Sequence, residues 1–174
     1  MRLFIAINFP DEIKEAIAEI RDQLKDAALR GNFTFDENLH LTLVFLGECD
    51  VRQTQVIKAV LDDTLFAQFS LELEKAGYFK RDSGHLWWIG LKENEALSAL
   101  QIDLSERLRQ KGFVLENRKY TPHVTIGREV KMPAGFVHPK ISQDRFIVTS
   151  IELMKSEHIR GQLVYTPVYS KSNL

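Results

Sequence analysis

The sequence predicts an α+β protein of two similar lobes set around a central cleft. Two observations predict it. Apolar residues alternate along some segments and recur at helical spacing along others, so strands and helices are interleaved. A strand–helix–strand set also occurs twice. At an offset of 83 residues, His40 falls on His123, Thr42 on Thr125, Leu41 on Val124 and Leu43 on Ile126. The same offset brings Leu3-Phe4-Ile5-Ala6 onto Leu86-Trp87-Trp88-Ile89, and the intervening helices match at 84. Two copies at this spacing read as a duplicated half rather than a solenoid, with one repeat anchored at residues 2–43 and the other at 85–126. The 174 residues then form one two-lobed domain, whose pseudo-two-fold axis would turn both histidine strands into one cleft.

The elements follow in order. Arg2 to Phe9 is a short apolar run ending at Pro10, a buried strand. From Asp11 the period changes, with Ile13, Ile17, Ile20 and Leu24 on one helical face. Pro10-Asp11-Glu12 suits the positive end of a helix dipole, and Gly31-Asn32 stops the element. "FTFDENLHLTLVFLG" returns to strand character and ends at Gly47. Val51 to Leu65 is a second amphipathic helix, and "FSLELEKAGYF" and "HLWWIGL" are strands. Asn94 to Lys111 is a third helix on Leu97, Leu100, Leu104 and Leu108. "YTPHVTIG" follows, then a loop from Met132 to Pro139, and "RFIVTSIELMKS" and "QLVYTPVYS" close the chain as strands.

Composition narrows the partners. A formal net charge of −1 provides no global field for duplex DNA, so a nucleic-acid partner must be small or met by a local basic cleft. One cysteine, Cys49, excludes an intramolecular disulfide and a cysteine-rich zinc site. The apolar start is too short for a signal peptide or a membrane span, and no other stretch is long enough. A cytoplasmic, monomeric protein without membrane partner or cofactor is expected.

The chemistry concentrates in the two His-x-Thr strands. Residues two apart share a strand face, so His40 points with Thr42 and His123 with Thr125. Imidazole acts as acid or base near neutral pH with little tuning. A neutral ring and a protonated ring facing each other suit in-line phosphoryl displacement, with no metal required. Arg128 supplies a guanidinium able to hold two phosphate oxygens. Strict alternation, however, puts Arg128 on the face opposite His123. It reaches the cleft only if the strand ends or bulges near Gly127. Phe45 stands in the same relation to His40, and alternation alone makes it core.

"HLTLVF" (His40 to Phe45) and "HVTIGR" (His123 to Arg128) resemble the paired motifs of the two-histidine phosphoesterases, in the branch of the RNA 2′,3′-cyclic phosphodiesterases, also described as 2′-5′ RNA ligase-like. The likeness extends to "RLFIAI", "YTPHVTIGR" and the closing "IELMKSEHIRGQLVYTPV". It implies two antiparallel sheets flanking the cleft, no metal, and opening of a 2′,3′-cyclic phosphate on RNA ends or nucleotides to a 2′-phosphomonoester. It further implies His40 as general acid, His123 as activator of water, Thr42 and Thr125 as phosphate contacts, Arg128 as clamp and Phe45 as a base-stacking ring.

Other candidates have plainer readings. Arg2 and His85 read as polar strand ends, and His138 as a solvated loop residue. Trp87 and Trp88 pack on opposite sides of a sheet. In the resembling family the turn carrying His158 and Arg160 lies near the substrate. The remaining histidines have no metal-ligand spacing with one another or with Cys49. Two alternatives use the same cleft: 2′-5′ RNA ligation, and non-catalytic binding of RNA or nucleotides.

Overall fold

The structure, a computed structural model, describes residues 1–174. Each helix forms where the apolar period is 3.6 and a start signal precedes it. Helix α1 (Asp11–Ala27) follows Pro10 and opens with two acids, and it buries Ile13, Ile17, Ile20 and Leu24. Helix α2 (Val51–Asp63) starts in a capping box, where Asp50 accepts from the Gln53 N–H and the Gln53 side chain accepts from the Asp50 N–H. Helix α3 (Glu95–Gln110) is capped by the Asn94 side chain on the Leu97 N–H and buries Leu97, Leu100, Leu104 and Leu108.

Nine strands make two antiparallel sheets. The strands are β1 (Arg2–Asn8), β2 (Arg30–Phe33), β3 (His40–Glu48), β4 (Phe69–Phe79), β5 (His85–Leu91), β6 (His123–Lys131), β7 (Arg145–Val148), β8 (Ser150–Ile159) and β9 (Gln162–Ser172). One sheet has the order β3-β1-β8-β9 and the other β2-β6-β5-β4-β7. The chain changes sheet repeatedly. β2 pairs with β6 and β4 with β5, although both belong to the first half of the sequence. After β7 the chain returns, so that β8 lies against β1.

Two expectations change here. "FTFDENLHLTLVFLG" is not one strand: a 3₁₀ turn (Asp36–Asn38) separates β3 from β2, and β2 begins at Arg30, where Gly31-Asn32 was read as a stop. "RFIVTSIELMKS" is two strands broken at Thr149, because its two ends hydrogen-bond to different sheets. Pro167 sits in β9, which is the outermost strand of its sheet, where a missing N–H is tolerated.

Strand pairing also refines the repeat. Ile7 lies opposite Leu41 and Ile89 opposite Val124, so β1 and β5 correspond at 82 residues, one fewer than the histidine strands. The reason is facing. Leu3, Ile5 and Ile7 enter the main core, as do Trp87 and Ile89, whereas Phe4 and Ala6 form a separate cluster with Met154. An odd offset would exchange the two faces. The main core is one continuous cluster of 35 buried residues drawn from all three helices and both sheets, so the two sheets do not bury separate interiors.

Candidate active site

The histidine strands β3 and β6 approach each other between the sheets. Each ring is held the same way. His40 Nδ1 lies 2.7 Å from the carbonyl oxygen of Asn38, and His123 Nδ1 lies 2.7 Å from that of Thr121. A carbonyl can only accept, so Nδ1 carries the proton in both rings and Nε2 is the atom that gains or loses one. His40 Nε2 is 2.9 Å from Thr42 Oγ1, whose hydroxyl donates to the neutral ring. The carbonyls are themselves positioned. Asn38 is buried and its side chain donates to the Leu163 carbonyl at 2.9 Å, which ties the 3₁₀ turn to β9.

Both imidazoles are held below the ordinary histidine range. For His40 the main cause is burial, aided by the positive charges of Arg128, His123 and Lys14 and opposed by the Asn38 carbonyl. For His123 it is again burial, then Arg128, opposed by the Thr121 carbonyl. Arg128 therefore acts on both rings, and it also favours the phenolate of Tyr165, whose pKa burial raises.

Bulges explain how Arg128 gets there. In β6, Thr125 lies opposite Trp88 and Gly127 opposite Trp87, which leaves Ile126 as an extra residue. Ile126 and Gly127 are both buried, and Arg128 emerges exposed. In β3, Thr42 lies opposite Ala6 and Val44 opposite Ile5, which leaves Leu43 extra. Leu43 and Val44 both enter the core and Phe45 is 58% exposed. The two bulges occupy corresponding positions, Leu43 and Ile126. Each reverses the alternation once, so Phe45 is not a core residue. Its ring lies 6.1 Å from that of Phe4, which in turn lies 5.0 Å from His40.

Aromatic rings complete the walls. Tyr165 on β9 meets His40 edge-on at 5.0 Å and Phe4 at 5.1 Å. Phe79, at the end of β4, meets His123 edge-on at 5.3 Å and lies 5.5 Å from Trp88. Trp88 lies across two glycines. A Cβ on Gly77 would come within 2.5 Å of its ring, and one on Gly90 within 3.2 Å. Between the lobes, the Tyr120 hydroxyl donates to the Thr42 carbonyl at 2.8 Å and the Gln101 side chain to the Leu43 carbonyl at 3.3 Å.

The structure thus groups His40, His123 and Arg128, with Thr42 bonded to His40 and Phe45 beside Phe4, while Thr125 stands two residues along β6 from His123. His158 and Arg160 stand exposed at the β8–β9 turn, and Arg160 adopts a left-handed backbone with φ 53°. His85 does not edge the cleft: it stacks on Tyr78 at 4.5 Å, on the side of Trp87. Tyr165, Phe79, Phe4 and the carbonyls of Asn38 and Thr121 were not picked out as site groups from the sequence. For the carbonyls a signal existed, since each stands two residues before a repeat histidine.

Comparison with known proteins gives a consistent picture. The model of the 2′-5′ RNA ligase superfamily matches residues 9–160. A Thermotoga maritima protein named RNA 2′,3′-cyclic phosphodiesterase is 37% identical over 165 residues, covering 88% of each chain. The Escherichia coli protein of that name is 30% identical over 168 residues, covering 96% of this chain and 93% of its own. The crystal structure of Escherichia coli LigT complexed with 3′-AMP superposes with a TM-score of 0.87 at 30% identity, over 99% of this chain and 97% of that one.

Proposed function

The chain belongs to the 2′-5′ RNA ligase superfamily, and from that premise we propose that it is a metal-independent, two-histidine hydrolase of 2′,3′-cyclic phosphates on RNA ends or nucleotides. Cyclic phosphodiesterase activity is what its relatives are named for. The observation that supports the mechanism is the matched pair of carbonyl-held imidazoles, each with Nε2 left to titrate.

His123 Nε2 has no hydrogen-bond partner within the protein and acts as the base that takes a proton from water. Water attacks phosphorus as the P–O3′ bond breaks. His40, protonated, gives its Nε2 proton to the departing O3′, leaving a 2′-phosphomonoester. Burial lowers the His40 pKa and so favours its neutral form. The phosphodiester anion offsets Arg128 and raises the His40 pKa on binding, so substrate itself prepares the acid. Arg128 holds the nonbridging oxygens, Thr42 and Thr125 donate to the phosphate, and Phe45 stacks on the base.

Hydrolysis of 2′,3′-cyclic AMP in EDTA tests this. Wild type should retain its rate, and His40→Ala and His123→Ala should each lose about 10²- to 10⁴-fold. Loss of the wild-type rate in EDTA would remove the metal-free claim, and full activity of either variant would remove the two-histidine mechanism.

A further inference from the structure

A cavity separate from the histidine cleft lies on the other face of the β2-β6-β5-β4-β7 sheet, beside the β4–β5 turn and under the loop 132–139. Its volume is about 440 Å³, and Tyr78, Arg81, His85, Trp87, Lys131 and His138 are among its walls. Cavities of this size take ligands of nucleotide dimensions.

The walls are aromatic to an unusual degree. Tyr78 and His85 stack nearly parallel at 4.5 Å and 17°. His138 meets Trp87 at 4.9 Å and Tyr78 at 5.9 Å. The loop histidine is exposed, as expected, with its ring beside these two. Trp87 Nε1 and His85 Nδ1 on this side of the sheet, and Trp88 Nε1 on the cleft side, are fully buried without a hydrogen-bond partner in the protein, so the rings and not these nitrogens face the cavity. Arg81 and Lys131 form no ion pair with any carboxylate.

We infer that this cavity is a second nucleotide site, distinct from the histidine cleft: its rings take a base, and Arg81 and Lys131 take a phosphate. Flat rings favour a planar ligand, and Arg81 and Lys131, two cations against the single acid Asp82 in the lining, favour an anion. The choice of a nucleotide among such ligands rests on the proposed activity. The occupant is a free mononucleotide or an upstream nucleotide of the RNA whose end lies in the cleft. Continuity exists for the second source. The Arg81 guanidinium sits 5.7 Å above the Phe79 ring, which touches His123 from the cleft side.

The two tryptophans make the test specific, because Trp87 lines the cavity and Trp88 the cleft. Titration with 5′-AMP, followed by the two indole N–H signals in ¹H–¹⁵N spectra, should move the Trp87 signal. Lys131→Glu and His138→Ala should each weaken that response at least tenfold while leaving the Trp88 response and 2′,3′-cyclic AMP hydrolysis unchanged. A Trp87 signal unmoved at millimolar 5′-AMP, or one that moves equally in both variants, overturns the site. A Trp87 response without any cyclic AMP hydrolysis keeps the cavity and removes the cleft reading. A tetranucleotide ending in a cyclic phosphate separates the sources. A KM raised by Lys131→Glu for the tetranucleotide alone assigns the upstream nucleotide, and an unchanged KM assigns the free one.

Discussion

At the scale of single residues, charge and burial decide what the cleft can do. Arg128 lies where it opposes protonation of both His40 and His123. Arg128→Gln should therefore raise both imidazole pKa values, which histidine ¹H NMR titration of the free protein would read directly. It should also slow hydrolysis by about 10²- to 10³-fold, the scale for loss of one preorganised charge on a transition state. Unmoved titrations would mean that the guanidinium turns away from the rings. Depressed histidines also affect stability, with a definite sign. Between their lowered values and the ordinary 6.5, the unfolded chain binds more protons than the folded one. Stability from this source is complete above that window and is lost as pH falls through it. Urea unfolding at pH 7.5 and 5.5 should show the decline, and His40→Phe should flatten it. Phe45 acts on binding rather than on protons. Stacking of a base on an aromatic ring is worth roughly 1–3 kcal/mol, so Phe45→Ala should raise KM about 5- to 150-fold, with kcat changed little.

At the scale of elements, the site depends on two bulges that no periodicity displays. His40, Thr42, His123 and Thr125 were legible as chemistry because a repeated His-x-Thr on a strand is a local pattern. The three helices were legible because their apolar period and caps are local too. Phe45 was not, since its facing depends on the extra Leu43, and an extra residue in a ladder exists only relative to the partner strand. For the same reason the split at Thr149 and the pairing of β2 with β6 lay beyond local reading. Tyr165 and Phe79 approach the histidines from strands whose sheet membership no local signal fixes. The β6 bulge has a testable support in Gly127. A Cβ there would come within 2.9 Å of Val130 Cγ2 and 3.1 Å of Phe33 Cδ1. Gly127→Ala should cost about 1–3 kcal/mol in urea unfolding, the usual range for overpacking. Phe33→Leu, which removes one of the two obstacles, should cost less in the Gly127→Ala background than in wild type. Simple additivity would place the Gly127 requirement elsewhere.

At the scale of the whole molecule, a chain of net charge −1 must attract an anion without a basic exterior. Its attraction is local, centred on Arg128, with Lys14 and Arg2 acting on the same group of rings. The count of phosphates so neutralised sets the response to salt, because each one met by a cation releases condensed counterions. For single strands the slope of log affinity against log salt is about −0.7 per phosphate. One or two phosphates in the cleft predict that raising salt tenfold weakens binding of a cyclic-phosphate dinucleotide by roughly 5- to 25-fold. Occupation of the rear cavity by the same RNA adds the phosphate held by Arg81 and Lys131, so a tetranucleotide should show a steeper slope by about 0.7. Lys131→Glu should return that slope to the dinucleotide's value. Affinities measured for both lengths between 50 mM and 500 mM salt (roughly that tenfold range) would separate these cases. A slope near −3 for the dinucleotide would require a broad basic track, for which a chain with 24 acidic and 23 basic side chains has no evident reserve.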